Sequence, residues 1–156
     1  MKLIDILNQD TVKIPLDNTD KYKIIEEMVD ILYKANKLEN RNVVLKSVIE
    51  REKIMSTGVG DGVAIPHGKS EGVTTLVACF GVTKNDVDFE SIDTKPVRLV
   101  FLLVGPPEMT GPHLKALSRI SRLMHLKDFR EKLISCKANT EVIEAIQKEE
   151  EKYFDI

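Results

Sequence analysis

No stretch of this 156-residue chain is long and apolar enough to cross a membrane. Its longest apolar runs, Leu99-Val-Phe-Leu-Leu-Val104 and Leu76-Val-Ala-Cys-Phe80, fall far below the roughly 20 residues a spanning helix needs. The opening Met1-Lys-Leu-Ile-Asp-Ile lacks a signal peptide's apolar stretch, so a cytoplasmic protein with no direct membrane insertion is expected. An excess of positive charge is also missing: 23 Lys and Arg face 25 Asp and Glu, for a formal net charge of -2. That balance excludes non-specific nucleic-acid binding. There are two cysteines, Cys79 inside an apolar run and Cys136 near a predicted helix end, too far apart for a metal motif. Both are expected to be reduced and to serve as small apolar residues. The three histidines include no pair at the i, i+4 spacing of a helical zinc motif, and no cysteines or carboxylates cluster around them, so no metal site is expected. Aromatics are few, at 5%, in an otherwise ordinary globular composition. The length suits one sizeable core and is too short for two generous ones, and no repeat or linker divides it, so residues 1–156 are read as a single domain.

What is present divides into helices, then strands, then helices. Thr11 to Leu16 alternates apolar and polar residues beside a proline, which suits a short edge strand. Apolar residues from Ile24 to Ala35 recur at three- and four-residue spacing, predicting a helix over about 19–37 with Thr19 or Asp20 as N-cap. A second helix is predicted from about Asn40 to Met55. Ser56 to Gly62 carries a glycine at every second position from Gly58, a pattern that favours a loop. Val63 to Ile65, Thr75 to Val82 and Val97 to Val104 read as strands; the last two are apolar on both faces, as in a covered sheet. Helices follow over Pro112 to Leu126, Lys127 to Cys136 and Asn139 to Lys152, with Glu149-Glu-Glu-Lys152 read as a solvated helix end. This order predicts an α/β or α+β sandwich around a mixed sheet.

The chemistry centres on Arg51-Glu-Lys-Ile-Met-Ser-Thr-Gly-Val-Gly-Asp-Gly-Val-Ala-Ile-Pro-His67-Gly68. His67 stands at the exit of an apolar run, with Pro66 fixing the backbone before it and Gly68 leaving the imidazole uncrowded. A neutral imidazole whose one nitrogen holds its proton in a hydrogen bond can attack an electrophile such as phosphorus with the other. Gly62 to Ser70 looks superficially like a phosphate-binding P-loop, but it has five intervening residues instead of four, contains Pro66 and His67, and leads into Glu71-Gly72, not into an evident helix. On the helix ending at Met55, Arg51 falls within a stripe formed by Val44, Val48 and Met55. It is either a structural ion pair with a snorkelling stem or a guanidinium held at a cleft rim to grip phosphate oxygens. His113 lines up with Leu117, Ile120 and Met124 in the first turn of its helix, as a packing residue or as part of an anion site at the helix N-terminus. His125 lies about 120° from His113 on that helix and reads as a surface residue.

The same run, with its Ser56-Thr-Gly-Val-Gly-Asp-Gly-Val-Ala-Ile-Pro-His67-Gly core, resembles the signature of enzyme IIA proteins of the fructose/mannitol type in the phosphoenolpyruvate-dependent sugar phosphotransferase system. The resemblance extends over nearly the whole chain, including Pro112-His113-Leu-Lys-Ala-Leu-Ser. It implies a three-layer α/β/α sandwich around a mixed sheet of about five strands. It also implies a phosphoryl relay in which His67, through Nε2, accepts the group from the histidine-containing phosphocarrier protein and passes it to a cysteine of a IIB partner, with His113 and Arg51 accompanying it. No cofactor is implied, because the energy arrives in a phosphohistidine bond. Such a site needs positive donors around a loose transition state and a depression that partners can cover, for which Met55, Val63 and Ile65 are rim candidates. Asp61 departs from the asparagine common in relatives; a carboxylate there would repel a phosphoryl group, which argues against it as a ligand. Nitrogen-type relatives share the histidine signature and use the phosphorylation state to control protein partners, so regulation stands as the alternative to sugar uptake. A hydrolase with His67 and His113 as acid and base lacks a placed carboxylate or serine.

Overall fold

The computed structural model describes residues 1–154. A short edge strand β1 (Val12–Leu16) leads into helices α1 (Lys21–Lys34) and α2 (Arg41–Ile54). Both helices start where a side chain can satisfy free backbone donors: Asp20 accepts from the Lys23 N–H and Asn40 from the Val43 N–H, each at 3.2 Å. Short strands β2 (Gly58–Gly60), β3 (Val63–Ala64) and β4 (His67–Lys69) precede the long pair β5 (Val77–Val87) and β6 (Val97–Gly105). Helices α3 (Thr110–Met124), α4 (Lys127–Ser135) and α5 (Asn139–Phe154) complete the described fold, and none of its helices is long and apolar enough to cross a membrane.

The sheet runs β1-β5-β6-β3-β2, with β4 also on β6. It is mixed: β1 is parallel to β5, β5 antiparallel to β6, β3 and β4 parallel to β6, and β2 antiparallel to β3. Pro15 falls on the β1 edge, where a missing N–H is tolerated. The two-sided hydrophobicity of β5 and β6 now has its explanation. Ala78, Phe80, Val82, Leu99, Phe101 and Leu103 pack on one face with α3, α4 and α5, while Val77, Cys79, Val100, Leu102 and Val104 pack on the other with α1 and α2. The result is the α/β/α sandwich expected. Phe80 and Phe101 meet across β5 and β6 with ring centroids 5.4 Å apart, a tilted pair worth about 0.5–1.5 kcal/mol beyond its buried area.

Three local expectations need correction. Ser56 to Gly62 is not all loop, because Gly58–Gly60 pairs with β3 as an edge strand. The alternating glycines serve the reversal that follows: Gly60, Asp61 and Gly62 have φ of 104°, 58° and 80°. Second, β5 continues past Val82, its exposed Lys84, Asn85 and Asp86 carrying the strand beyond the covered core before Val87 turns inward. Third, Glu150 is not solvated: it is fully buried, accepts the Leu3 N–H with both carboxylate oxygens, and pairs with Arg119 Nε at 2.9 Å. It fastens the start of the chain to α3 and α5.

Candidate functional site

The path from Val63 to Lys69 follows one side of β6, interrupted at Ile65-Pro66. Val63 stands opposite Leu99, and after the break His67 stands opposite Leu103. The Leu103 N–H still donates to the Pro66 carbonyl at 3.0 Å, so the break occurs without loss of register. Pro66 and the irregular backbone there bring the His67 ring back over its own chain, where Nδ1 lies 2.8 Å from the Ile65 carbonyl. A carbonyl can only accept, so Nδ1 carries the proton and Nε2 holds the free lone pair. The ring is half-buried, and burial is the main reason its pKa lies below the usual value; the hydrogen bond to Ile65 pulls it up, the Arg51 charge pushes it down, and Glu52 partly offsets that. His67 is therefore a neutral imidazole at neutral pH with one tautomer selected, which suits a nucleophile.

The other two predicted residues converge on it from opposite layers. The β6 strand delivers α3, and His113 in that helix's first turn meets His67 with ring centroids 5.9 Å apart and planes tilted by 58°. His113 is 2% exposed, and its Nδ1 has no hydrogen-bond partner. Burial, followed by the charges of His67 and Lys69, pushes its pKa down to about 4. From the other side, Gly68 lets α2 close onto β4, since a Cβ there would lie 2.9 Å from Ser47 Oγ and 3.3 Å from the Val48 amide. The last turn of α2 carries Arg51, whose Nη1 donates to the Met55 carbonyl at 3.0 Å and whose charge reaches His67. Lys69, one residue past Gly68, reaches across to Thr110 Oγ1 at 2.9 Å and adds a second cation beside His113.

Some of the surroundings differ from the expectation. Val63 and Ile65 are core residues, only 1% and 4% exposed, and cannot form a rim; Met55 at 64% can. The buried line of α2 does not end at Met55 but continues Val44, Val48, Glu52. Glu52 was missed, although the i, i+4, i+8 series from Val44 points straight at it. Its carboxylate pairs with Lys21 at 3.0 Å and accepts from the Thr57 N–H at 2.8 Å and from the Thr57 hydroxyl. Asp61 sits exposed at the β2–β3 turn with its N–H on Asp93, a position set by its left-handed backbone. His125 is exposed, and Gly68-Lys69 lies in a strand with no helix after Ser70, as the reading of both required.

Fold and site together define an α/β/α domain that presents one neutral, oriented imidazole beside a second histidine and two cations. The chain belongs to the family "Phosphoenolpyruvate-dependent sugar phosphotransferase system, EIIA 2", which it matches over residues 5–149, and is thus a phosphotransfer component of that system. It is 36% identical over 146 residues to the PTS system fructose-specific EIIABC component of Bacillus subtilis (strain 168), covering 94% of this chain and only 23% of that longer protein. The crystal structure of nitrogen regulatory protein IIA-Ntr from Neisseria meningitidis superposes with a TM-score of 0.86 at 34% identity, covering 93% of this chain and 99% of that one. A complex of enzyme IIAMTL and phosphorylated enzyme IIBMTL from Escherichia coli shares the fold at a TM-score of 0.78 and 19% identity, over 91% of this chain and 97% of that one.

Proposed function

We propose that this chain is a single phosphoryl-relay unit of the cytoplasm in which His67 Nε2 takes a phosphoryl group from a histidine phosphocarrier protein and hands it to a cysteine of a IIB partner. The observation that carries the reading is the Nδ1–H bond to the Ile65 carbonyl, which leaves Nε2 free on a ring that feels the Arg51 charge and lies beside His113. In the first step the Nε2 lone pair forms a bond to phosphorus while the carrier's P–N bond breaks and its electron pair returns to the carrier's imidazole. In the second, a thiolate attacks the same phosphorus and the Nε2–P bond breaks back to Nε2. The proton stays on Nδ1 throughout, donated to the Ile65 carbonyl.

Charge on the transferred oxygens is met by the guanidinium N–H groups of Arg51 not engaged by Met55, and by a neutral His113 acting as a hydrogen-bond donor. Partner proteins would cover exposed apolar residues beside these groups: Leu114, next to His113 and 60% exposed, and Met55, whose carbonyl holds Arg51. The fructose-type relative supports a role in fructose- or mannitol-type sugar uptake. The IIA-Ntr neighbour, matched over 99% of its length, supports a second reading in which the phosphorylation state of His67 controls protein partners. The test is incubation with phosphoenolpyruvate, its activating enzyme and the phosphocarrier protein. One acid-labile phosphoryl group is expected on the wild-type chain and none on His67→Ala; equal labelling of both would overturn the assignment. Transfer onward to a sugar-specific IIB cysteine, or its absence, separates the two readings.

A further inference from the structure

The Glu52 carboxylate lies at the head of a continuous line of hydrogen bonds that ends on the functional imidazole. It accepts from the Thr57 N–H; the Thr57 carbonyl accepts from the Ile65 N–H at 3.0 Å; and the Ile65 carbonyl accepts from His67 Nδ1 at 2.8 Å. The bonds are joined through the Cα atoms of Thr57 and Ile65, so the line acts by fixing backbone position, and it is anchored by a buried carboxylate. The anchor is fixed in turn. The Glu52 side chain is fully buried, and Lys21 from the start of α1, also buried, pairs with it at 3.0 Å and donates to the Phe89 carbonyl at 3.3 Å. The Ser56 hydroxyl donates to that same carbonyl at 2.6 Å and accepts the Gly58 N–H at 3.0 Å. The segment between Arg51 and His67 is thereby tied to both helices of one layer.

A buried ion pair is a poor way to gain stability, because removing two charges from water costs about as much as their attraction returns. What it does supply is a fixed position. We infer that Glu52, with Lys21 and Thr57, is a positioning residue that holds the Ile65 carbonyl on His67 Nδ1 and so keeps Nε2 as the free nitrogen. This inference deepens the reading of His67 as phosphoryl acceptor and rests on it for its consequence. Loss of the anchor frees the Thr57 and Ile65 peptides to rotate, the Nδ1 bond loosens, and the second tautomer, with its proton on Nε2 where the phosphorus must bind, becomes populated.

The experiment uses the full chain carrying Lys21→Met and Glu52→Met together, which removes both charges and with them the acceptor that holds the Thr57 N–H. Thermal unfolding is expected to stay close to wild type. Long-range proton–nitrogen NMR of the nitrogen-15-labelled protein at mildly alkaline pH reads the tautomer of His67 directly. The wild type is expected to hold the Nδ1–H form, and the double variant to show both forms together with a loss of about tenfold in kcat for phosphoryl transfer at little changed KM. A wholly Nδ1-protonated His67 in the double variant overturns the inference, whatever the transfer rate. Should that protein fail to fold, Thr57→Val makes the same test by removing the hydroxyl that grips Glu52, and Thr57→Ser should restore the wild-type spectrum. The tautomer measurement needs no phosphoryl donor, so its outcome stays separate from any failure of wild-type labelling.

Discussion

Replacing His113 with glutamine should make the protein less sensitive to mild acid. The imidazole is 2% exposed, and burial together with the charges of His67 and Lys69 holds its pKa at about 4, against about 6.5 in an unfolded chain. Between those values the unfolded chain binds a proton that the folded one refuses, so stability rises with pH across this window. The contribution is intact above about pH 6.5 and lost as pH falls toward 4. At about 1.4 kcal/mol per tenfold change in proton affinity, the gap amounts to ~3 kcal/mol, of which ~2 kcal/mol has gone by about pH 4.5. These are upper figures, because Lys69 is exposed and its share is screened by solvent and salt. For a chain of this size the effect corresponds to about 4–8 °C in Tm. Urea unfolding followed by circular dichroism near neutral pH and near pH 4.5, on wild type and on His113→Gln, measures it. Carboxylates away from the site cancel in the comparison. If the variant loses as much stability as the wild type on acidification, the burial argument for His113 is wrong.

Three further outcomes are expected. Arg51→Lys keeps a positive charge but loses the planar fork, and should slow phosphoryl transfer by about tenfold or more in rapid-quench assays while unfolding stays unchanged; normal kinetics would remove Arg51 from the site. Gly58→Ala would place a Cβ 2.2 Å from Ser91 Oγ and 2.9 Å from its Cα, and should cost about 1–3 kcal/mol in denaturant unfolding. Adding Ser91→Gly should recover only part of that, since the Cα clash survives, and full recovery would show the backbone to be more yielding than this geometry allows. Glu150→Ala strands the partly buried Arg119 and the Leu3 N–H, and should cost about 3 kcal/mol; a loss under about 1 kcal/mol would mean water replaces the carboxylate.

Much of the architecture was readable because its causes are local. The i, i+3, i+4 spacing in α1 and α3, the cap at Asp20, and the unbroken apolar runs of β5 and β6 each have causes within their own segment. The misreadings share a different cause. Gly58–Gly60 became a strand because β3 was beside it to accept pairing, and Glu150 went inside because Arg119 and the Leu3 amide were there to receive it. Arg51 seemed part of an apolar stripe, and the true stripe ended one residue later at a carboxylate whose burial depends on Lys21. A charged residue can be placed on a helix face from sequence, but whether it is buried depends on a partner from another element.

For the site the division is the same. The sequence by itself determined that His67 would leave an apolar run between a proline and a glycine, that Arg51 and His113 would lie at helix ends, and that the run linking them belonged to a phosphotransferase family. Tertiary structure alone decided that α2, packed on β4, and α3, packed on β6 from the opposite layer, come together at His67, where the His67 and His113 rings lie 5.9 Å apart. It also supplied the physical reason for the free Nε2 that the family resemblance implied. That choice depends on the Ile65 carbonyl two residues back and on the Thr57 and Glu52 groups behind it. An imidazole's tautomer is set by the acceptor it finds in space, and no pattern of neighbouring residues along the chain specifies that acceptor.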